Sequence, residues 1–224
     1  KLDGLYIGTP AKEIPRAAQL LFPESTQKLS QTRLGHYLEV YATRMSATLR
    51  RLGVDSDLSS IFDALAPRGI SDFDFGSPES LRVAIPAGNG LFTARSLAKL
   101  YATLAAGGEL GGVRLLSEET LADATTLQKP SGRHSVIPFD MRWRLGYHGV
   151  ATTRGFPKQG FGHFGFGGSG AWGDPQRDLA VALIVNSGMG SPFGDMRTAK
   201  MSGAALACAE ARSRTSRLPQ LLAS

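Results

Sequence analysis

The chain has one cysteine, Cys208, among its 224 residues. That excludes an internal disulfide framework and a thiolate metal cluster. It also lacks an apolar run of about 18 residues, the length a membrane-spanning helix needs, so no span is expected. Its four histidines, His36, His134, His148 and His163, lie far apart, without metal-ligand spacing. The phosphate-cradling pattern Gly-x-x-x-x-Gly-Lys does not occur. No metal and no cofactor are therefore expected. The opening, Lys1 to Ile7, has neither a charged n-region nor a long apolar h-region, and with a single cysteine this favours a cytoplasmic compartment.

Hydrophobic residues make up 42% and charged residues 20%, the balance of a folded chain and not of a disordered one. A chain of this length can bury a sizeable core. The net charge is +6, which raises the question of an acidic partner. The positive residues are spread out, however, and are densest at Arg212, Arg214 and Arg217 in a Ser/Arg-rich tail. No aromatic residues interleave with them to stack bases, so nucleic acid is not an expected partner. Cys208 reads as a small buried helix residue.

Residues 31–52 are helix-compatible, with Leu34, Leu38, Tyr41, Met45, Leu49 and Leu52 at three- and four-residue spacing. Residues 53–92 are irregular. Thr93 is a good N-cap for a helix with Leu97, Leu100, Tyr101 and Leu104 on one face, and Gly107-Gly108 stops it. Ser117 caps a second helix, with Glu118 and Glu119 at its positive dipole end. Residues 129–140 read as a loop. From Met141 the pattern changes to strands, beginning with the alternation of Trp143, Leu145 and Tyr147. Asp174 to Asp178 is a turn, and Leu179 to Val185 is apolar enough for a strand buried on both faces.

The expected fold is therefore α/β in the α+β sense, a single domain with an antiparallel sheet flanked by helices. Residues 1–140 should be mainly helices and loops, 141–194 antiparallel strands, and 195–215 a C-terminal helix. The main strands should lie near 157–164, 168–174 and 179–186.

The densest local signal is Gly160 to Gly173, seven glycines in fourteen residues around His163. Glycine at this density weakens a strand. A return on it would be close approach of a backbone or a ligand to bare N–H groups, which can hold a developing oxyanion beside a histidine donor. The plainer alternative is a glycine-rich strand corner in which His163 is merely hydrogen-bonded.

Three stretches, in order, resemble the penicillin-recognising serine hydrolases: class C β-lactamases, family VIII carboxylesterases and penicillin-binding proteins. They are Leu2-Asp3-Gly4-Leu5-Tyr6-Ile7-Gly8; then Ile85-Pro86-Ala87-Gly88-Asn89-Gly90 with Thr93 to Tyr101; then His163-x-Gly165-x-Gly167-Gly168-Ser169 with Asp174-Pro175 and Leu179 to Asn186. The resemblance implies a β-lactamase/transpeptidase-like fold in which His163-x-Gly165 borders the active site. It implies catalytic roles for His163 and the Phe166 amide, and substrate contacts from His163, Phe164, Gly165, Phe166 and Gly167. Phe164 and Phe166 would wall an acyl pocket. The substrate would be a small-molecule ester or amide, and a His where β-lactamases keep Lys points to a carboxylesterase.

In that family the nucleophile is the Ser of Ser-x-x-Lys and the base the Tyr of Tyr-x-Asn, both ahead of the point matched by Leu2. No Tyr-x-Asn occurs here. One Ser-x-x-Lys does, Ser25-Thr26-Gln27-Lys28, but it follows the Leu5–Gly8 match and so is out of order. The expectation is thus the C-terminal portion of a serine hydrolase, inactive alone, whose remaining partner is the N-terminal segment of the same domain. The rival is a non-catalytic binding or scaffold domain of that fold. Gly167-Gly168-Ser169-Gly170-Ala171 nearly matches a nucleophile elbow, but its last position is Ala and no helix pattern follows.

Overall fold

A computed structural model describes residues 2–21, 51, 73–129, 140–187 and 196–221. The helix expected over 31–52, the Ser25-Thr26-Gln27-Lys28 motif, His36, His134 and most of the 129–140 loop lie outside the described residues.

The chain enters along β1 (Leu5–Tyr6) and a 3-10 turn (Ala11–Arg16), with a short α1 (Pro78–Arg82) further on. β1 pairs antiparallel with β2 (Leu91–Phe92), which runs directly into α2 (Ala94–Ala105). Thr93 caps α2 by accepting the Ser96 amide at 3.3 Å, and its hydroxyl donates to the Asp3 carbonyl at 3.0 Å. One side chain therefore starts the helix and fastens the N-terminal segment to it. Thr93→Ala removes both bonds and should lower stability by about 1 kcal/mol, read as a shift in the denaturation midpoint at unchanged slope.

A hairpin of β3 (Glu109–Leu110) and β4 (Val113–Arg114) follows, then α3 (Glu118–Thr125), capped by Ser117 onto the Thr120 amide at 3.1 Å. The principal sheet is β5 (Phe161–Phe164), β6 (Gly170–Asp174) and β7 (Leu179–Leu183), all antiparallel and in sequence order. α4 (Met196–Leu221) closes the described chain.

Alternation along the strands distributes the core between two helices. Phe161, Ala171, Ala180 and Ala182 face α2, where they meet Leu97, Tyr101 and Leu104. Phe164, Trp172, Leu179 and Val181 face α4, where they meet Leu206 and Val150. The sheet is thus one layer between two helices. Bare Gly173 lets α2 lie close, since a Cβ there would sit 3.1 Å from the Tyr101 carbonyl oxygen.

Three expectations are corrected. Residues 141–160 are not strand; they carry only the bridges His148↔Gly162 and Thr152↔Gly155. Arg142 and Gly146 take positive φ (53° and 81°), which breaks an extended run. Their neighbours hydrogen-bond to the end of α3 instead of to a strand: Leu145 N–H to Ala124 at 3.1 Å and Gln128 N–H to Trp143 at 2.8 Å. β7 is only half-buried except at Val181, and Cys208 lies on α4 but is exposed.

Candidate active site

His163 is the penultimate residue of β5, on the α2 face of the sheet, and is exposed where Phe161 and Phe164 are buried. At Gly165 the chain leaves the sheet for a 3-10 turn, Phe166–Gly168, and returns into β6 at Gly170. Gly167 and Gly168 both sit in the left-handed region, with φ 86° and 90°, where any side chain would be strained.

The turn is held from several sides. Gly165 N–H donates to Ser169 at 2.9 Å and Gly168 N–H to Gly165 at 3.1 Å. The first turn of α4 takes two carbonyls: the Arg197 guanidinium donates to Gly167 at 3.0 Å, and the Thr198 hydroxyl to Gly168 at 3.1 Å. The Ser169 hydroxyl accepts the Val185 amide at 3.0 Å and reaches the Val185 carbonyl at 3.1 Å, closing the seam to the segment after β7. Among the described residues, nothing accepts the amides of Phe166 and Gly167. Consecutive unengaged amides on a rigid backbone can hold an anionic oxygen.

The glycines at the base of the loop have a different cause. A Cβ on Gly162 would collide with the Ala171 carbonyl and Trp172, and one on Gly170 with the His163 carbonyl and Phe164. The close approach that the glycine density foreshadowed is, at these two positions, the approach of β5 to β6.

The sequence-predicted residues therefore separate. His163, Gly165 and Gly167 lie together at the strand end. Phe164 does not wall a pocket: it is 4% exposed, inside the core beneath α4, because the strand alternation turns it away from His163. Phe166 opens the turn with its backbone, while its side chain lies outside the described residues. Ser169 leads into a strand and not a helix, so no nucleophile elbow is built.

The residue missed is His148. It is 4% exposed, and its ring lies 5.1 Å from that of His163. Burial lowers the His148 pKa against the pull of the Gly149 carbonyl, and His163 and Arg144 lower it further. Surrounding protein likewise lowers the pKa of His163 by desolvation. Nearby, burial pushes the Tyr101 and Tyr147 phenols up, so both stay protonated at neutral pH and neither is a ready base. Among the described residues no group of three or more His, Cys, Asp or Glu can hold a metal.

The profile of the "Beta-lactamase" family matches residues 2–205. This chain belongs to the β-lactamase family. It is 32% identical over 192 residues to the esterase/β-lactamase LipL of Mycobacterium tuberculosis, covering 82% of this chain and 39% of that protein. Its fold superposes on a penicillin-binding protein homologue from Caulobacter crescentus with a TM-score of 0.66 at 28% identity, over 91% of this chain and 48% of that one. A family VIII carboxylesterase gives 0.64 at 26%, over 92% and 47%. The chain thus spans about two fifths to one half of the length of these β-lactamase-family relatives. No helix among the described residues is long and apolar enough to cross a membrane.

Proposed function

We propose that this chain forms one wall of the cleft of a serine hydrolase that acts as a carboxylesterase. The nucleophilic Ser-x-x-Lys and the Tyr-x-Asn would come from the part of the domain that the relatives have and this chain does not cover. The reaction is acyl transfer: the serine oxygen attacks the ester carbonyl as its proton passes to the base, the alcohol leaves, and water releases the acid. The observation that carries the reading is the placement of His163 just ahead of the Phe166 and Gly167 amides, which have no acceptor among the described residues, at a strand end. The Phe166 amide stabilises the developing oxyanion together with the nucleophile's own amide. His163 donates to the substrate's acyl oxygens. A lowered pKa keeps it neutral near pH 7, which suits an uncharged ester better than capture of a β-lactam carboxylate.

The test compares two polypeptides. One extended upstream to carry Ser-x-x-Lys and Tyr-x-Asn should release aryl alcohol from short-chain esters with an initial burst as the acyl-enzyme fills. The 224-residue chain alone should hydrolyse them no faster than its Ser25→Ala form. Turnover by the chain that vanishes in Ser25→Ala would make Ser25 the nucleophile and overturn the assignment.

A further inference from the structure

His148 is buried beside the proposed site, and its contacts are more specific than packing requires. Its backbone forms an antiparallel bridge to Gly162, with N–H to O distances of 2.9 Å and 3.1 Å in the two directions. This short pairing covers the open edge of β5 only at Gly162. By strand alternation the next amide on that edge belongs to Phe164, and an edge amide of this kind ordinarily goes unpaired or to water. Here the His148 ring takes it: Phe164 N–H donates to Nε2 at 3.2 Å. The other ring nitrogen, Nδ1, lies 2.8 Å from the Gly149 carbonyl oxygen and so must carry the proton. Both nitrogens are engaged, and the ring is fixed as the neutral Nδ1–H tautomer.

We propose that His148 is a positioning residue for the His163 site, closing the β5 edge at Phe164 and bracing the His163 ring at the point where the strand gives way to the glycine turn. This rests on the hydrolase reading above. The last edge amide before the turn is satisfied by protein, so the first amides without an acceptor among the described residues are those of Phe166 and Gly167. The His148 ring, its centroid 5.1 Å from that of His163 and tilted 59° to it, limits where the His163 imidazole can lie. The other groups facing His148 are the Trp143 ring at 5.9 Å, the Phe164 ring at 6.3 Å and the Arg144 charge. None of them offers an acceptor for the Phe164 amide.

His148→Phe keeps a ring but no acceptor; His148→Gln offers an amide oxygen to Phe164 N–H and a donor to Gly149 but no ring. Amide hydrogen exchange and nitrogen NMR titration on the 224-residue chain read the two roles separately. In His148→Phe the Phe164 amide should exchange at least about tenfold faster, as expected when an edge hydrogen bond is lost, and His148→Gln should restore protection. In His148→Gln the His163 pKa should rise toward its ordinary value as water reaches the ring. In the extended polypeptide, His148→Phe should lower kcat for aryl esters about tenfold with little change in KM, as for a misplaced catalytic group, and His148→Gln should recover part of it. Unchanged Phe164 exchange and His163 titration in both variants would overturn the proposal. So would altered exchange with kcat intact. If instead His163→Ala itself leaves ester hydrolysis unchanged while the exchange and titration effects hold, the hydrolase site assignment fails and the bracing of His163 by His148 stands.

Discussion

His163→Ala in the extended polypeptide should lower kcat/KM for short-chain aryl esters by a factor of about 30 to 1000, equivalent to about 2–4 kcal/mol of transition-state stabilisation. The fold should survive, because the His163 side chain is exposed and the β5–β6 ladder is backbone. The loss should be partial for the same reason: the Phe166 amide is unaffected by the substitution. The pH dependence has a definite sign. Desolvation holds the His163 pKa below its ordinary value, so the neutral donor is the form present above about pH 6.5. Activity attributable to His163 should therefore stay level as pH rises through 6.5 and decline only on acidification. A decline on raising the pH through 6.5 would mean that the cation is the working form. Circular dichroism matched between wild type, His163→Ala and His163→Lys is the control. Full activity in His163→Ala would make the residue structural. A gain of β-lactam hydrolysis in His163→Lys would place this chain nearer to the lactamases than its histidine suggests.

Trp172→Ala should be the most damaging core substitution, costing about 3–5 kcal/mol of the 5–15 kcal/mol typical of a domain. Trp172 is fully buried at the centre of the cluster that joins β5, β6 and β7 to α4. Its indole N–H donates to the Ser202 hydroxyl at 3.0 Å, and Ser202 is itself fully buried. Trp172→Phe separates the two contributions. It keeps most of the ring volume but strands the Ser202 hydroxyl, for an expected cost of about 1–3 kcal/mol. Urea denaturation of the three proteins gives the comparison; a loss below about 1 kcal/mol in Trp172→Ala would show that α4 does not seal this face of the sheet.

His148 adds an acid limit to stability. Its folded pKa lies below the unfolded value, so on acidification the unfolded chain takes up the proton first. Its contribution is fully present above about pH 6.5, the unperturbed value, and is lost as pH falls below it. Denaturation midpoints should therefore drop between neutral pH and pH 5, and by less in His148→Gln.

The elements that local chemistry specifies were legible. Thr93 and Ser117 are hydroxyl caps ahead of apolar helical faces, and both accept the amide three residues on. The Asp174–Asp178 turn between two apolar runs implied adjacent antiparallel strands, and Asp174 accepts the Gln176 amide at 3.0 Å within that turn. The His163-x-Gly165 stretch could be recognised because its residue types, order and spacing lie within one short segment. The 141–160 region misled because its alternation of apolar and polar residues has the period of a strand, while the positive φ at Arg142 and Gly146 is invisible to periodicity.

By itself, then, the sequence determined the caps, the turn, the strand order and the place of His163, since each depends on neighbours within a few residues. It did not place Phe164: the resemblance put that ring beside His163 in a pocket, whereas the two-residue period of the strand turns it to the opposite face, buried once α4 lies on it. Tertiary structure alone decided the rest. His148 meets His163 through a single bridge to Gly162, and one bridge leaves no periodic trace in the chain. Arg197 and Thr198 hold the carbonyls of Gly167 and Gly168 across |i−j| = 30. Contacts of that range form only when helix and sheet pack, and packing depends on shape and volume summed over the whole core, which no local pattern records.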